Sequence, residues 1–427
     1  METLLCLSIA LFAGLMLSRL AKPLKLPAVT AYLVAGILIG PYLLGNLKID
    51  GLGFTSMENI KQYEILCDVA LGFIAFSIGN EFRLSQLKKN GKQATIIGII
   101  QAVTATLLVD AALIGLHFLI PDKLPLPSAI VLGAIASATA PAATLMVVRQ
   151  YKAKGPLTDI LLPIVALDDA VGLILFAVSF GIARALMSGH VDVVSIIVEP
   201  LLEVILSLLL GALMGFLFNW CEQFFHSRSK RLSMSVTFVF LTVAFSMLKF
   251  EIGGVHIAFS PLLVCMMLGT IFCNICDFSE ELMDRVDRWT APLFILFFVL
   301  SGAELELSIF KDPMIVCIGL VYILFRSLGK YFGARESARA VHCDKNIVQY
   351  LGITLLPQAG VALGMALKAE QLGPEGAIVA NITLFSVLIY ELVGPYLTKL
   401  SLLKAGEIKP EGKVSAREQH LLSKQGK

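Results

Sequence analysis

Runs of apolar residues, separated by short polar turns, fill almost the whole chain of 427 residues. An α-helix needs about 20 apolar residues to cross the hydrocarbon of a bilayer, and the pattern predicts thirteen such spans. They fall near residues 3–18, 27–45, 64–81, 94–118, 126–148, 157–183, 195–220, 232–248, 255–276, 290–304, 313–333, 348–367 and 375–400. The fold class that follows is an all-α polytopic membrane protein. No basic stretch precedes the first apolar run and no small-residue cleavage site ends it, so it reads as a span and not as a signal peptide.

Two spans are interrupted. ASATAPAATL (Ala136–Leu145) places Pro141 inside span five, with Thr139 and Thr144 on either side. LPQAGVALG (Leu356–Gly364) crowds Pro357, Gln358 and Gly360 into span twelve. Proline removes a backbone donor and clashes with the carbonyl one turn earlier. In lipid the freed groups must be satisfied internally or face a water-filled cavity. Either break alone is compatible with a simple proline kink. Their positions match, however: fifth of the first six spans and fifth of the last six, with span seven as a linker. Matched interruptions point to inverted repeats around a site near the midplane. Repeat one then covers about 3–183, the linker helix 195–220 and repeat two 232–400, within a transmembrane unit of residues 1–403. Residues 404–427 read as a short disordered tail.

Composition agrees with this reading. The chain is 57% hydrophobic and 15% charged, against about 25% charged in a soluble domain. It cannot cover itself with a polar surface, which removes soluble enzymes and nucleic-acid binders from consideration. No nucleophile elbow, phosphate loop, metal-ligand cluster or cofactor motif is legible. The net charge of +2 says little, but its distribution says more. Arg19, Lys22 and Lys25 follow span one, and Arg83, Lys88, Lys89 and Lys92 follow span three. Arg149, Lys152 and Lys154 follow span five, and Arg228, Lys230 and Arg231 follow span seven. Arg285 and Arg288 follow span nine, and Arg335, Arg339 and Lys345 follow span eleven. The alternate turns carry mostly single basic residues, such as Lys123, Arg184, Lys249, Lys311 and Lys368. Short basic loops stay cytoplasmic, so the N-terminus is expected outside and the tail inside the cell membrane. The eight cysteines lack a framework spacing, and the lone Cys273-Asn-Ile-Cys276 reads as small apolar residues at a helix end.

Against this background the segment ALDDAVGL (Ala166–Leu173) is costly, with Asp168 and Asp169 near the centre of span six. A carboxylate at mid-bilayer costs about 2.5–3.5 kcal/mol on insertion scales. Neighbours on a helix point about 100° apart, so one acid can face a cavity while the other meets a partner helix. Repulsion and desolvation make the doubly ionised pair expensive, so protons and small cations compete for it. Span eleven supplies counter-charges: Arg326 and Lys330 lie four residues apart on one face. Either can pair with Asp168, and Lys330 can also snorkel toward the nearer interface. Other acids tell less. Glu81 and Glu304 stand at span ends, Asp68 and Asp110 lie deeper, Asp159 sits at a helix start, and Glu391 reads as a packing or ion-pair residue. His256, beside Gly253 and Gly254, reads as a structural histidine at a loop edge.

LPAVTAYLVAGILIGP (Leu26–Pro41), TAPAAT, LDDAVG, RSLGKYFGA, PQAGVALGMAL and ELVGP, in that order, resemble the monovalent cation:proton antiporter-2 family, with its sodium/proton exchanger membrane domain. The resemblance runs from about residue 5 to residue 400. It implies crossed broken helices and an aspartate pair in a core domain that moves against a dimerisation domain of a homodimer. It implies that Asp169 binds cation and proton, that Asp168 pairs with the span-eleven base, by family pattern Lys330, and that Thr139 and its neighbours supply oxygens. Thr-Ala-Pro with Asp-Asp, where electroneutral relatives have Thr-Asp-Pro with Asn-Asp, resembles the electrogenic branch. The cytoplasmic nucleotide-binding domain of glutathione-gated relatives is missing, so gating of that kind is not expected.

These readings converge on a secondary active antiporter that exchanges Na⁺ for H⁺ in pH homeostasis, with no cofactor. The expected mechanism has a cytoplasm-facing cavity in which Na⁺ displaces protons from Asp169. Asp168, Thr139 and freed backbone carbonyls act as further oxygen ligands. A K⁺/H⁺ antiporter or K⁺ efflux system is the nearest alternative, Li⁺ being a further candidate ion. A sodium-coupled organic-anion symporter is an alternative of another class, disfavoured by adjacent aspartates opposite an intramembrane base.

Overall fold

The computed structural model describes residues 2–24, 26–47, 53–80, 82, 84–188, 198–248, 250–252, 255–276, 279–305 and 311–408. Lys25, Glu81, Arg83, Lys249, Gly253, Gly254 and the tail beyond residue 408 lie outside the described residues, as do the side chains of Lys88, Lys89 and His256. The first half comprises α1 (Glu2–Ala21), α2 (Ala28–Ile39), the short α3 (Met57–Lys61), α4 (Glu64–Asn80), α5 (Leu84–Leu119), α6 (Leu126–Ile135), α7 (Pro141–Tyr151) and α8 (Pro156–Ser188). α9 (Glu199–Glu222) links it to the second half. That half comprises α10 (Arg228–Ser246), α11 (Pro261–Ile275), α12 (Ser279–Glu304), α13 (Pro313–Ala340), α14 (Lys345–Thr354), α15 (Gly360–Ala369) and α16 (Pro374–Lys404).

Among the described residues, eight helices are long and apolar enough to cross a bilayer unaided. The shorter α4, α10 and α11, and the broken pairs α6–α7 and α14–α15, supply the other five passes. Several helices overrun their predicted spans on the basic-loop side: α5 starts at Leu84, α12 at Ser279, and α13 runs to Ala340. Hydropathy marks only the lipid-embedded part, and the backbone ladder continues into water wherever helix-forming residues allow. Span nine is a correction. Helix is not formed from residue 255; Val255–Ile257 is a strand paired antiparallel with Phe250–Ile252. α11 begins only at Pro261, whose missing N–H suits the first helical position, with the Ser260 side chain accepting from Leu263 N–H. α13 starts in the same way, Pro313 following Asp312, whose carboxylate accepts from Met314 and Ile315 N–H.

The packing is two-fold in pattern. α5 lies along α13, its positional equivalent, while α2 packs on α12 and α4 on α11. α1 meets α12 as α10 meets α4. Each contact has a counterpart with the halves exchanged, as two inverted repeats require. Hydrophobic clusters divide the helices into two bundles. One cluster draws mainly on α1, α2, α4 and α9–α12. The others draw on α5–α8 and α13–α16. At the end of the second bundle the Glu407 carboxylate accepts from the N–H groups of Leu157 and Thr158 at 2.6 and 2.8 Å, capping the start of α8 from the far end of the chain.

Small residues let backbones approach where lipid offers no hydrophobic drive between helices. A Cβ on Gly36 would lie 2.0 Å from the Val299 carbonyl oxygen, and one on Gly302 2.2 Å from that of Leu33. The related contact repeats the device: Gly79 against the Met266 oxygen at 1.9 Å, and Gly269 against that of Phe76 at 2.2 Å. Gly36→Leu and Gly79→Leu should each cost about 3 kcal/mol or more. Thermal denaturation in detergent should place both well below the parent, while Gly115→Leu, where a Cβ meets open space, melts with it. Parental melting of Gly36→Leu would contradict this packing.

Candidate functional site

Both broken passes halt at the same depth and cross. α6 ends at Ile135 and α7 starts at Pro141; α14 ends at Thr354 and α15 starts at Gly360. The Ala140 N–H donates to the Pro357 carbonyl at 2.8 Å, so one break closes a donor of the other. The free carbonyls at the two C-terminal half-ends are met by side chains. Arg326 donates from Nε to Ala136 O at 3.0 Å, from Nη1 to Leu356 O at 2.7 Å and from Nη2 to Ala138 O at 2.6 Å. Its guanidinium also lies over the Tyr390 ring, 4.4 Å from the centroid. The Gln358 amide donates to Ile135 O at 3.0 Å and to the Tyr322 hydroxyl at 2.9 Å, and its oxygen accepts from Ser386 at 3.2 Å. A cation at a helix C-terminus also complements the dipole there.

Lys330, one turn beyond Arg326 on α13, ties the crossing to the aspartates. Its Nζ donates to the Ser137 carbonyl, to Thr139 Oγ1 at 2.9 Å and to Asp168 Oδ2 at 2.9 Å. Thr139 Oγ1 donates to the same carboxylate oxygen at 2.5 Å. The Gln101 amide on α5 donates to Asp168 Oδ1. Asp168 and Lys330 are both fully buried. A buried pair costs desolvation on both sides and persists only when the remaining hydrogen-bond capacity is met; here three donors converge on the carboxylate. Of the two candidate bases, Lys330 makes the ion pair and Arg326 caps helix ends.

Asp169 is different. Rotated about 100° along α8, it is also buried, but its Oδ1 has no hydrogen-bond partner among the described residues. It borders a cavity of about 280 Å³. One wall is a helical stripe of α8, Leu173, Phe176 and Ala177, and another is a stripe of α15, Val361, Gly364, Met365 and Lys368. The rest comes from the start of α9 at Glu203 and from Phe259–Leu262 ahead of α11. The cavity therefore separates the two bundles at the face opposite the basic loops. At the basic-loop face the bundles touch: Arg149 of α7 pairs with Asp287 of α12, and the Gln150 side chain accepts from Ala28 N–H at 2.9 Å.

One expectation needs correcting. The described cavity beside Asp169 lies on the face away from the basic loops and not on the basic-loop side, where Arg149 and Asp287 join the bundles. The freed carbonyls of Ile135, Ala136, Ser137, Ala138 and Leu356 each accept a hydrogen bond from Gln358, Arg326 or Lys330. Thr139 is held between Asp168 and Lys330. Pro141, Pro357 and Gly360 shape the breaks. Asp159 sits in the first turn of α8, and Asp110 packs its carboxylate over Gly133. Gln101 was not singled out from sequence, although a lone amide in the apolar run IIGIIQAVTATLLV was a visible signal. Glu203 gave no such signal, because its relation to the cavity is tertiary.

If Arg326 holds the crossing together, removing it leaves three buried carbonyls unmet, at about 1–3 kcal/mol each. Arg326→Met should melt far below the parent in detergent, and Arg326→Lys should fall between them, an ammonium being unable to span all three oxygens. Equal melting of the parent and Arg326→Met would contradict this role.

Comparison with known proteins agrees with the geometry. The family model "Sodium/hydrogen exchanger, transmembrane" matches residues 7–403. The Na⁺/H⁺ antiporter NhaS4 of Synechocystis is 22% identical over 92% of this chain and 95% of its own length. The K⁺/H⁺ antiporter subunit KhtU of Bacillus subtilis is 24% identical over 90% of each. A structure of the sodium proton antiporter MjNhaP1 from Methanocaldococcus jannaschii superposes with a TM-score of 0.70 at 17% identity, covering 94% of both chains. The last shows a shared fold, and the family match spans nearly the whole chain. This chain belongs to the transmembrane sodium/hydrogen exchanger family.

Proposed function

We propose that the protein exchanges a monovalent cation, Na⁺ in the first instance, for protons by alternating access, with Asp169 as the exchanging group. The observation that carries this is the asymmetry of the pair. Asp168 is saturated by Lys330, Thr139 and Gln101, while Asp169 keeps a bare oxygen beside the cavity. A buried carboxylate without a donor is too costly to cross the membrane ionised and empty. It is held neutral by a proton or neutralised by a cation, and that exclusion couples the two fluxes.

A cation on Asp169 attracts the adjacent Asp168 carboxylate. If Asp168 turns to it, Lys330 is left as a buried ammonium without a counter-charge, which is strongly unfavourable, and Lys330 yields its proton. Two protons then move against one cation and the cycle carries charge. Rocking of the α5–α8/α13–α16 bundle against the other opens the Arg149–Asp287 side as the cavity closes. The basic-loop face is taken as cytoplasmic, with the N-terminus outside, and the bundle of α1, α2, α4 and α9–α12 as the site of homodimer contact. The K⁺/H⁺ reading stays in play because KhtU is as similar to this chain as the Na⁺/H⁺ relatives.

Proteoliposomes given an imposed pH gradient test this, with Na⁺, K⁺ or Li⁺ added in turn. The parent should dissipate the gradient with a cation it accepts. Asp169→Asn should lose this by about two orders of magnitude or more while eluting and melting as a folded protein. Parental exchange by Asp169→Asn would refute the assignment.

A further inference from the structure

Among the described residues, two carboxylates line the cavity, and only Asp169 has so far been given a role. The other, Glu203, stands one turn into α9, on the bundle opposite α8 and α15. Its backbone is fixed. Ser207 Oγ donates to the Glu203 carbonyl at 2.5 Å and accepts from Ser260 N–H at 2.9 Å, which pins this turn of α9 to the start of α11. Lys368, in the last turn of α15, lines the same cavity, so its ammonium and the Glu203 carboxylate share one space.

The walls between these groups and Asp169 are largely apolar: Leu173, Phe176, Ala177, Val361 and Met365. An alkali cation entering such a space gives up water and gains little from the walls. A carboxylate at the entrance lowers that cost, and an ammonium there raises it. Asp169 and Ala177 are separated by about 12 Å along α8, so the helix rise alone places the outer part of the cavity well away from Asp169. Glu203 and Lys368 also belong to opposite bundles. The helix bearing the ammonium is therefore on the body that rocks relative to the carboxylate.

We propose that Glu203 is a second cation-binding subsite, where a monovalent cation is held on its way to Asp169, with Lys368 as a tethered competitor for the same carboxylate. This rests on the antiport reading above. A cation on Glu203 displaces the Lys368 ammonium from its influence, and the cation's onward passage to Asp169 returns it.

The two side chains should act with opposite sign, which a merely structural role would not produce. In right-side-out and everted vesicles, Glu203→Gln should raise the KM for Na⁺ presented at the cavity face by roughly threefold to tenfold, the scale of one carboxylate's attraction in a partly hydrated space. Lys368→Gln should lower it by a similar factor. Both shifts should be absent for Na⁺ presented at the basic-loop face, and should shrink when choline chloride raises the ionic strength. If Glu203→Gln gives no folded protein, Lys368→Gln alone decides. A parental KM at the cavity face, shifts of the same sign in both variants, or equal shifts at both faces would overturn the subsite while wild-type exchange persists. Absence of exchange in the wild type would instead overturn the antiport reading on which it rests.

Discussion

The structure depends on one arrangement: two broken helices crossing at mid-membrane with their open carbonyl ends turned toward fixed cations. A chain that interrupts two helices in lipid must find partners for several backbone groups at once. Here one helix, α13, provides most of them, with Arg326 bridging Ala136, Ala138 and Leu356 and Lys330 reaching Ser137. Having placed an ammonium there, the fold needs an anion, and Asp168 supplies it at 2.9 Å. The next residue on the helix inherits the depth without the partners. The unsatisfied oxygen of Asp169 follows from the way the breaks are repaired.

The same arrangement explains why two adjacent acids are useful where one would be merely costly. Asp168 stabilises the crossing and Asp169 remains available, and their separation by one helical step keeps them electrostatically coupled. Oxygens freed by the helix breaks are tied down by resident side chains.

Much of this was legible in the sequence, and the rest was not, for identifiable reasons. Span number and the pairing of breaks follow from apolar run length and proline position, which are local properties. Asp168, Asp169 and the span-eleven bases stand out because charge is rare in lipid. Which base pairs with Asp168 was not legible: Arg326 and Lys330 share a helical face, and their division of labour depends on where α6 and α14 end in space. The strand pair of Phe250–Ile252 and Val255–Ile257 was hidden because a short strand with β-branched apolar residues and the start of a span look alike. Gln101, Glu203 and the open face of the cavity depend on how the bundles are set against each other, which no local pattern encodes.

The central claim is that Asp169 holds either a proton or an alkali cation. Titration calorimetry of the purified protein with Na⁺ and K⁺, run in buffers of different ionisation enthalpy at neutral to basic pH, measures this directly. The account predicts about one to two protons released for each cation bound, since ligands must give up protons to bind metal. Cation binding with the same heat in every buffer, and so without proton release, would contradict it.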